Sequence, residues 1–222
     1  MKKLFAVLGL AVASVSVHAQ DYISPLQNTW TAFDTVAHEN FAKKEPIANK
    51  LALIAKKWNT EWITHYYASL AKTEISYNER DAAKHDAILN EAEKEHDEAV
   101  SILGKENDET LVLAAMIANS RLAVDPMNRW QKYGKIFSDD LEAAKAINAN
   151  NPRIYYMKAI SVFFTPKAFG GGNTVAQPYF EKAEALFAKE PGNDINKPSW
   201  GKKENNFFLV QCKTPDKDEA AH

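Results

Sequence analysis

Glu93 and His96 stand three residues apart in the run Glu91-Ala92-Glu93-Lys94-Glu95-His96-Asp97-Glu98. One helical turn would set that carboxylate and imidazole side by side. This is the spacing of di-iron bundles, which need a second copy from a facing helix. No second copy accompanies His38, His65 or His85, and His-Glu-x-x-His does not occur. The stretch therefore reads as a solvated helix face, and no metal or other cofactor is expected. Ser69, Ser101, Ser120 and Ser161 all fall within helical patterns, none in a strained Gly-x-Ser-x-Gly turn. No pair of acids sits in the kind of apolar setting that separates a general acid from a general base. The expectation is a protein that is not an enzyme. Gly170-Gly171-Gly172 could cradle an anion with its amides, but no Gly-Lys-Ser/Thr follows it. It reads first as a connector. Cys212 is the single cysteine, so no intramolecular disulfide forms, and its run Phe207-Phe208-Leu209-Val210-Gln211-Cys212 marks it as a small core residue.

The elements that would carry these residues are helical throughout. Ser24-Pro25 is a helix start, followed by Leu26, Trp30, Phe33, Ala37 and Phe41 on one face, with a break at Pro46. Leu51, Ile54 and Ala55 continue in a second helix, and Thr60 can cap a third that runs past Trp62, Tyr66 and Leu70. A long charged helix spans Asp81 to Leu103 and closes at Gly104; Asp108 can cap the next, which stops at Asp125-Pro126. Further helices cover about 127–148, Pro152 to Phe164, a stretch capped by Thr174 or Gln177 and ending before Pro191, and Lys202 to Cys212. No segment alternates as a strand would. Ala68, Ala115 and Ala159 fall at matching places at intervals of about 45 residues, as stacked helical pairs require. Small side chains there let two helices approach closely.

Ala176, Phe180 and Ala183 have the small–large–small spacing of the second helix of a tetratricopeptide repeat, and Ala159 fits the small position of the first. Asn151-Pro152-Arg153, Thr165-Pro166, the glycine run, Phe180-Glu181-Lys182-Ala183 and Pro198-Ser199-Trp200-Gly201 together resemble exported tetratricopeptide-repeat-like proteins of Bacteroidetes-type bacteria. The resemblance spans residues 60 to 212, with units longer than the usual repeat of about 34 residues. It implies an all-α, right-handed superhelix of antiparallel hairpins whose first helices line a concave side. On that side Asn119, Arg121, Arg153 and Tyr156, with Arg129 close by, would form a peptide-binding groove. Arg and Asn clamp a carboxylate or a backbone, and Tyr supplies contact area at low entropic cost. Trp200 would close the end of the stack.

The bulk numbers agree with a binding role. Apolar residues make up 45 % of the chain and charged ones 25 %, enough for an ordinary globular core. A net charge of −2 argues against nucleic acid, whose binding needs clustered positive charge. Met1-Lys2-Lys3, the uncharged run Leu4 to Val17 and Val17-His18-Ala19 have the layout of a secretory leader, cut after Ala19. With no cysteine at the cut, the protein is expected free in the periplasm or secreted. Residues 20–212 would form one domain and 213–222 a disordered tail. The expected function is a non-catalytic protein- or peptide-binding scaffold. The alternative is a small-ligand carrier with an apolar cavity between helices, lined by Tyr66, Tyr67, Phe163 and Phe164.

Overall fold

The computed structural model describes residues 22–37, 39–192 and 194–213. The leader, His38 and the tail from 214 onward lie outside the described residues, whereas Lys213, assigned to the tail, closes the last helix. The described residues form α1 (Ile23–Thr35), α2 (Phe41–Lys57), α3 (Trp62–Ser76), α4 (Ala82–Leu103), α5 (Asp108–Val124), α6 (Pro126–Arg129), α7 (Lys135–Ile147), α8 (Pro152–Phe164), α9 (Asn173–Phe187) and α10 (Lys202–Lys213), with no strand among them. The all-α expectation holds.

Several boundaries follow the caps foreseen from sequence. Asp81 accepts from the Lys84 amide at 2.9 Å, and Gly104 ends α4 with φ 73°. Asn151 accepts from the Arg153 amide at 2.9 Å, ahead of Pro152 at the first helical position. Other boundaries moved. α1 starts at Ile23, so Ser24 and Pro25 lie in its first turn. α1 ends at Thr35 and α2 begins at Phe41, so the break falls before Pro46: the Asn40 side chain caps the Lys43 amide and Pro46 is absorbed inside α2. There the proline forfeits one helical hydrogen bond, which burial of Leu51, Ile54 and Ala55 outweighs. Glu61, not Thr60, precedes α3. Asn107, not Asp108, caps α5, in a reciprocal pair with Thr110 at 2.9 Å both ways. The helix expected over 127–148 is interrupted by a π turn, Trp130–Gly134. α9 follows Gly172 directly, without Thr174 or Gln177 as cap.

Helices α3 and α4, α5 and α7, and α8 and α9 pack as consecutive hairpins. Their first members α3, α5 and α8 lie side by side, α2 and α1 extend the stack from α3, and α10 lies on α9. Ala68, Ala115, Ala159, Ala176 and Ala183 are all fully buried where helices meet. Three histidines serve this packing. His65 Nδ1 meets Glu95 at 2.6 Å, His96 Nε2 the Thr110 carbonyl at 3.0 Å, and His85 Nε2 the Ser120 hydroxyl at 2.9 Å, which in turn meets Ser76. The Glu93/His96 spacing is split accordingly: Glu93 binds Arg121 and His96 turns inward.

The segment from 194 to 201 runs back over the first helices. Tyr22 donates to Asn196 at 2.6 Å, Trp200 Nε1 donates to the Tyr66 hydroxyl at 2.7 Å, and the Trp200 ring meets Tyr156 edge-on. Trp200 thus bridges α3 and α8 rather than closing the end of the stack. Beneath it Arg153, almost fully buried, donates to Glu109 at 2.7 Å, to Glu190 at 2.6 Å and to the Trp200 carbonyl at 3.3 Å. Burial raises the Glu109 carboxyl and Arg153 opposes that rise; Glu109 and Glu190 in turn hold the guanidinium charged.

In the glycine run, Gly170 and Gly172 have φ of 83° and 102°, and a side chain on Gly171 would collide with the Thr165 carbonyl. The amides of Gly170, Gly171 and Gly172 donate to Lys167, Pro166 and Val162 carbonyls, so the run spends its donors on its own turn.

Two stability predictions follow from these contacts. Glu109→Ala, which strips the main partner from a buried guanidinium, should cost about 3–5 kcal/mol in denaturant unfolding, while Glu109→Leu with Arg153→Met should recover most of it. Asp140 is pushed up to about 6 by burial and by Glu106 and Asp139, against an ordinary 3.8. The folded state therefore holds that proton longer than the unfolded chain, and stability falls as pH rises from about 4 to about 6. Asp140→Asn should flatten that slope and melt higher than wild type at pH 7; an unchanged pH profile would refute the assignment.

Candidate functional site

Helix α8 points Tyr156, Met157, Ile160 and Phe164 to one side, as residues three or four apart on a helix must. α10 turns Lys203, Glu204, Phe207 and Phe208 toward them. α10 can present this face because its other face is anchored: Asn205 and Leu209 are buried, and the Asn205 amide donates to the Phe180 carbonyl at 3.1 Å. Phe208 stacks on Phe180 with centroids 5.9 Å apart and meets Phe163 at 5.1 Å. Glu74, Tyr77 and Asn78 at the end of α3, Met116 of α5, and Ala37 and Glu39 complete the walls. The result is an apolar cleft of about 530 Å³. That lies within the range of about 300–1,000 Å³ usual for small-molecule sites.

The cleft keeps its apolar side chains in reach of solvent. Phe164 is 66 % exposed, Phe207 60 % and Tyr77 42 %. Large apolar residues left open together around a concavity mark a binding surface more strongly than scattered ones do. The Tyr77 ring opens to the cleft while its hydroxyl end rests on α5, donating to the Met116 carbonyl at 3.3 Å and accepting from the Asn119 amide at 3.2 Å. Burial pushes that phenol up to about 12, and the Asn119 contact works against the rise. Lys203 is the cation among the lining residues, ion-paired to Asp34; Glu39, Glu74 and Glu204 give the remaining rim an acidic character.

The five residues singled out from sequence do not gather in one groove. Tyr156 lines the cleft from a buried position, and Asn119 stands behind it through Tyr77. Arg121 and Arg129 meet elsewhere, on α4: Arg121 binds Glu93 at 2.7 Å, Asp86 at 3.0 Å and Asn90 at 2.6 Å, and Arg129 binds Asp86 at 2.7 Å and the Arg121 carbonyl at 3.2 Å. Arg129 and Arg121 together hold the Asp86 carboxyl below the ordinary value. Arg153 lies at the opposite end of α8 from Phe164, beside a hollow of about 570 Å³ in which Asn151 donates to Asp108 at 3.0 Å and Arg153 donates to Glu190 at 2.6 Å.

Of the alternative cavity residues, Phe164 lines the cleft and Phe163 backs it against Phe180 and Phe208. Tyr66 and Tyr67 are core, packed with Trp62 and Trp30. Tyr77, Met116, Met157, Ile160, Phe207 and Phe208 were not foreseen. A signal pointed to two of them: Phe207-Phe208-Leu209-Val210 places apolar groups all round a short helix, more than one buried face can use.

No family model matches the chain, and no curated protein does. Among solved structures, the HusA haemophore from Porphyromonas gingivalis, a Bacteroidetes bacterium, superposes with a TM-score of 0.73. The two sequences are 29 % identical, and the match covers 89 % of this chain and 95 % of that one. The chain is thus similar, over nearly its whole described length, to a protein whose work is binding rather than catalysis.

Proposed function

We propose that this protein is a non-catalytic carrier of a planar, largely apolar ligand of the haem class, held in the cleft between α3, α5, α8 and α10. One observation carries the reading: an open aromatic cleft lies on a fold similar to that of a haemophore. The lining suits a macrocycle. Phe164, Phe207 and Tyr77 offer ring faces and edges, and Met116, Met157 and Ile160 give a deformable apolar floor. Each 100 Å² of apolar ligand surface covered is worth about 2.5 kcal/mol. Lys203 would meet a carboxylate edge only by sharing or leaving Asp34, and the acidic rim of Glu39, Glu74 and Glu204 disfavours ligands that are anionic all round. Export behind the leader, to the periplasm or the outside, fits such a carrier. No described helix is long and apolar enough to cross a membrane.

The second reading is a peptide-binding scaffold of the tetratricopeptide type. Stacking of α3/α4, α5/α7 and α8/α9 as hairpins supports it, with a right-handed superhelix as the implied arrangement. Its clamp would have to form from Arg121, Arg129 and Arg153, each of which is engaged with carboxylates of this chain. The apolar walls of the cleft need no such release, and so the carrier reading is preferred.

Titration of the protein with haem, followed by the Soret band, tests the carrier reading. Saturable binding at one haem per chain is expected. Phe207→Glu and Phe164→Glu, both at exposed positions, should each weaken it at least about tenfold, equal to about 1.4 kcal/mol, with melting temperature unchanged. Haem binding that ignores both substitutions would move the site elsewhere, and no binding at all would leave the peptide reading in front.

A further inference from the structure

A tryptophan is carried out of the packed face where α5 gives way to α7. Phe137, Leu141 and Ala144 are the buried residues of α7. Counting back from them in steps of three and four, a regular helix would bring Trp130 onto the same face. The π turn Trp130–Gly134 intervenes, and its extra residue sets what precedes it about 100° round. Trp130 is accordingly 59 % exposed, and Met127, three positions earlier and therefore beside it, is 84 % exposed. π turns are rare and concentrate at functional sites. Neither side chain lines the cleft or the hollow beside Arg153.

The charges around the two are one-sided. No acid occurs between Asp125 and Asp139, where Arg129, Lys132 and Lys135 fall in a chain of net charge −2. Arg129 is spent on Asp86, and the Asp125 carboxylate accepts from Asn128. Lys132 lies over the Tyr133 ring, and Lys135 pairs with Asp139 where both are largely exposed, a weak attachment. We propose that Met127 and Trp130, with Lys132 and Lys135 beside them, dock this protein on an anionic lipid surface. Tryptophan sets its apolar body and its N–H at the headgroup level, methionine adapts to the chains below, and lysines reach the phosphates. Lipid is favoured over a protein because two protruding side chains can enter a fluid surface. A specific protein interface needs about 800 Å² of fitted surface on each side.

The docking holds whatever ligand the cleft takes, yet the patch and the cleft share an end of the stack. Helices α3, α5 and α8 run the same way: Tyr66 and Arg153 meet Glu109 near their starts, and Tyr77 meets Asn119 toward the other end. Phe164 closes α8 at that end, and Met127 follows the end of α5. Docking through the patch thus turns the end carrying the cleft toward the lipid.

The test is co-sedimentation of the chain from Gln20 onward with vesicles of phosphatidylcholine, alone or with about 30 % phosphatidylglycerol. Wild type should bind the anionic vesicles, more weakly as salt rises, with a blue shift in tryptophan emission. Met127→Glu with Trp130→Glu should weaken that binding at least about tenfold. Lys132→Glu with Lys135→Glu should remove the preference for anionic over neutral vesicles. Trp130→Phe should keep most of the binding but lose the emission shift, which puts that ring at the lipid. All four positions are exposed, so melting temperatures should match wild type. Wild type that stays in solution, or a Met127→Glu/Trp130→Glu variant that binds as well, would overturn the proposal. Capture of a protein partner through these residues, without vesicle binding, would overturn the lipid assignment in favour of a protein interface.

Discussion

The buried charge of Arg153 is the constraint on which the rest of the arrangement depends. A guanidinium taken out of water must find carboxylates and carbonyls to replace its hydration. It finds Glu109 on α5, Glu190 beyond α9 and the carbonyl of Trp200. Those three partners come from three parts of the chain, so the charge can be satisfied only when α5, α8 and the returning segment are all in place. Trp200 extends the same network to α3 through the Tyr66 hydroxyl. A single residue thereby couples the order of the hairpins to the path of the chain that follows them.

That path decides where α10 begins. Gly201, with φ 92°, turns the chain directly after Trp200, and a larger residue there would press on Phe187 and Tyr156. α10 then lies on α9, held by Asn205 and Leu209, with Phe207 and Phe208 turned toward α8. The cleft therefore depends on a polar network at its far end. Its floor of Met116, Met157 and Ile160 is apolar and makes no side-chain hydrogen bonds.

Placing the opening among aromatic and thioether side chains has a chemical consequence. Apolar walls select by shape and surface rather than by charge, and they bind planar molecules well because rings present large area at low entropic cost. The hollow beside Arg153 has comparable volume but a lining richer in polar side chains, of which Asn151 is bonded to Asp108 and Glu109. Volume alone would not separate the two; the exposure of large apolar rings does.

Much of the local structure was legible in the residues themselves. Asp81, Gly104 and Asn151-Pro152 mark helix ends through short-range hydrogen bonds and backbone preferences, which depend on nearby positions only. The buried alanines and Ala176-Phe180-Ala183 likewise carried the hairpin stacking, because close helix approach leaves a small-residue pattern at fixed spacing. What Arg121, Arg153 and Tyr156 face was decided by tertiary structure. An arginine outside an apolar stripe looks the same in sequence whether solvent, a peptide or the chain's own Glu93 and Glu109 lies opposite, and those partners are 28 and 44 positions away. The cleft was hidden for the same reason: Tyr77 follows α3 while Met116, Ile160 and Phe207 sit on three other helices, and only long-range packing makes them neighbours.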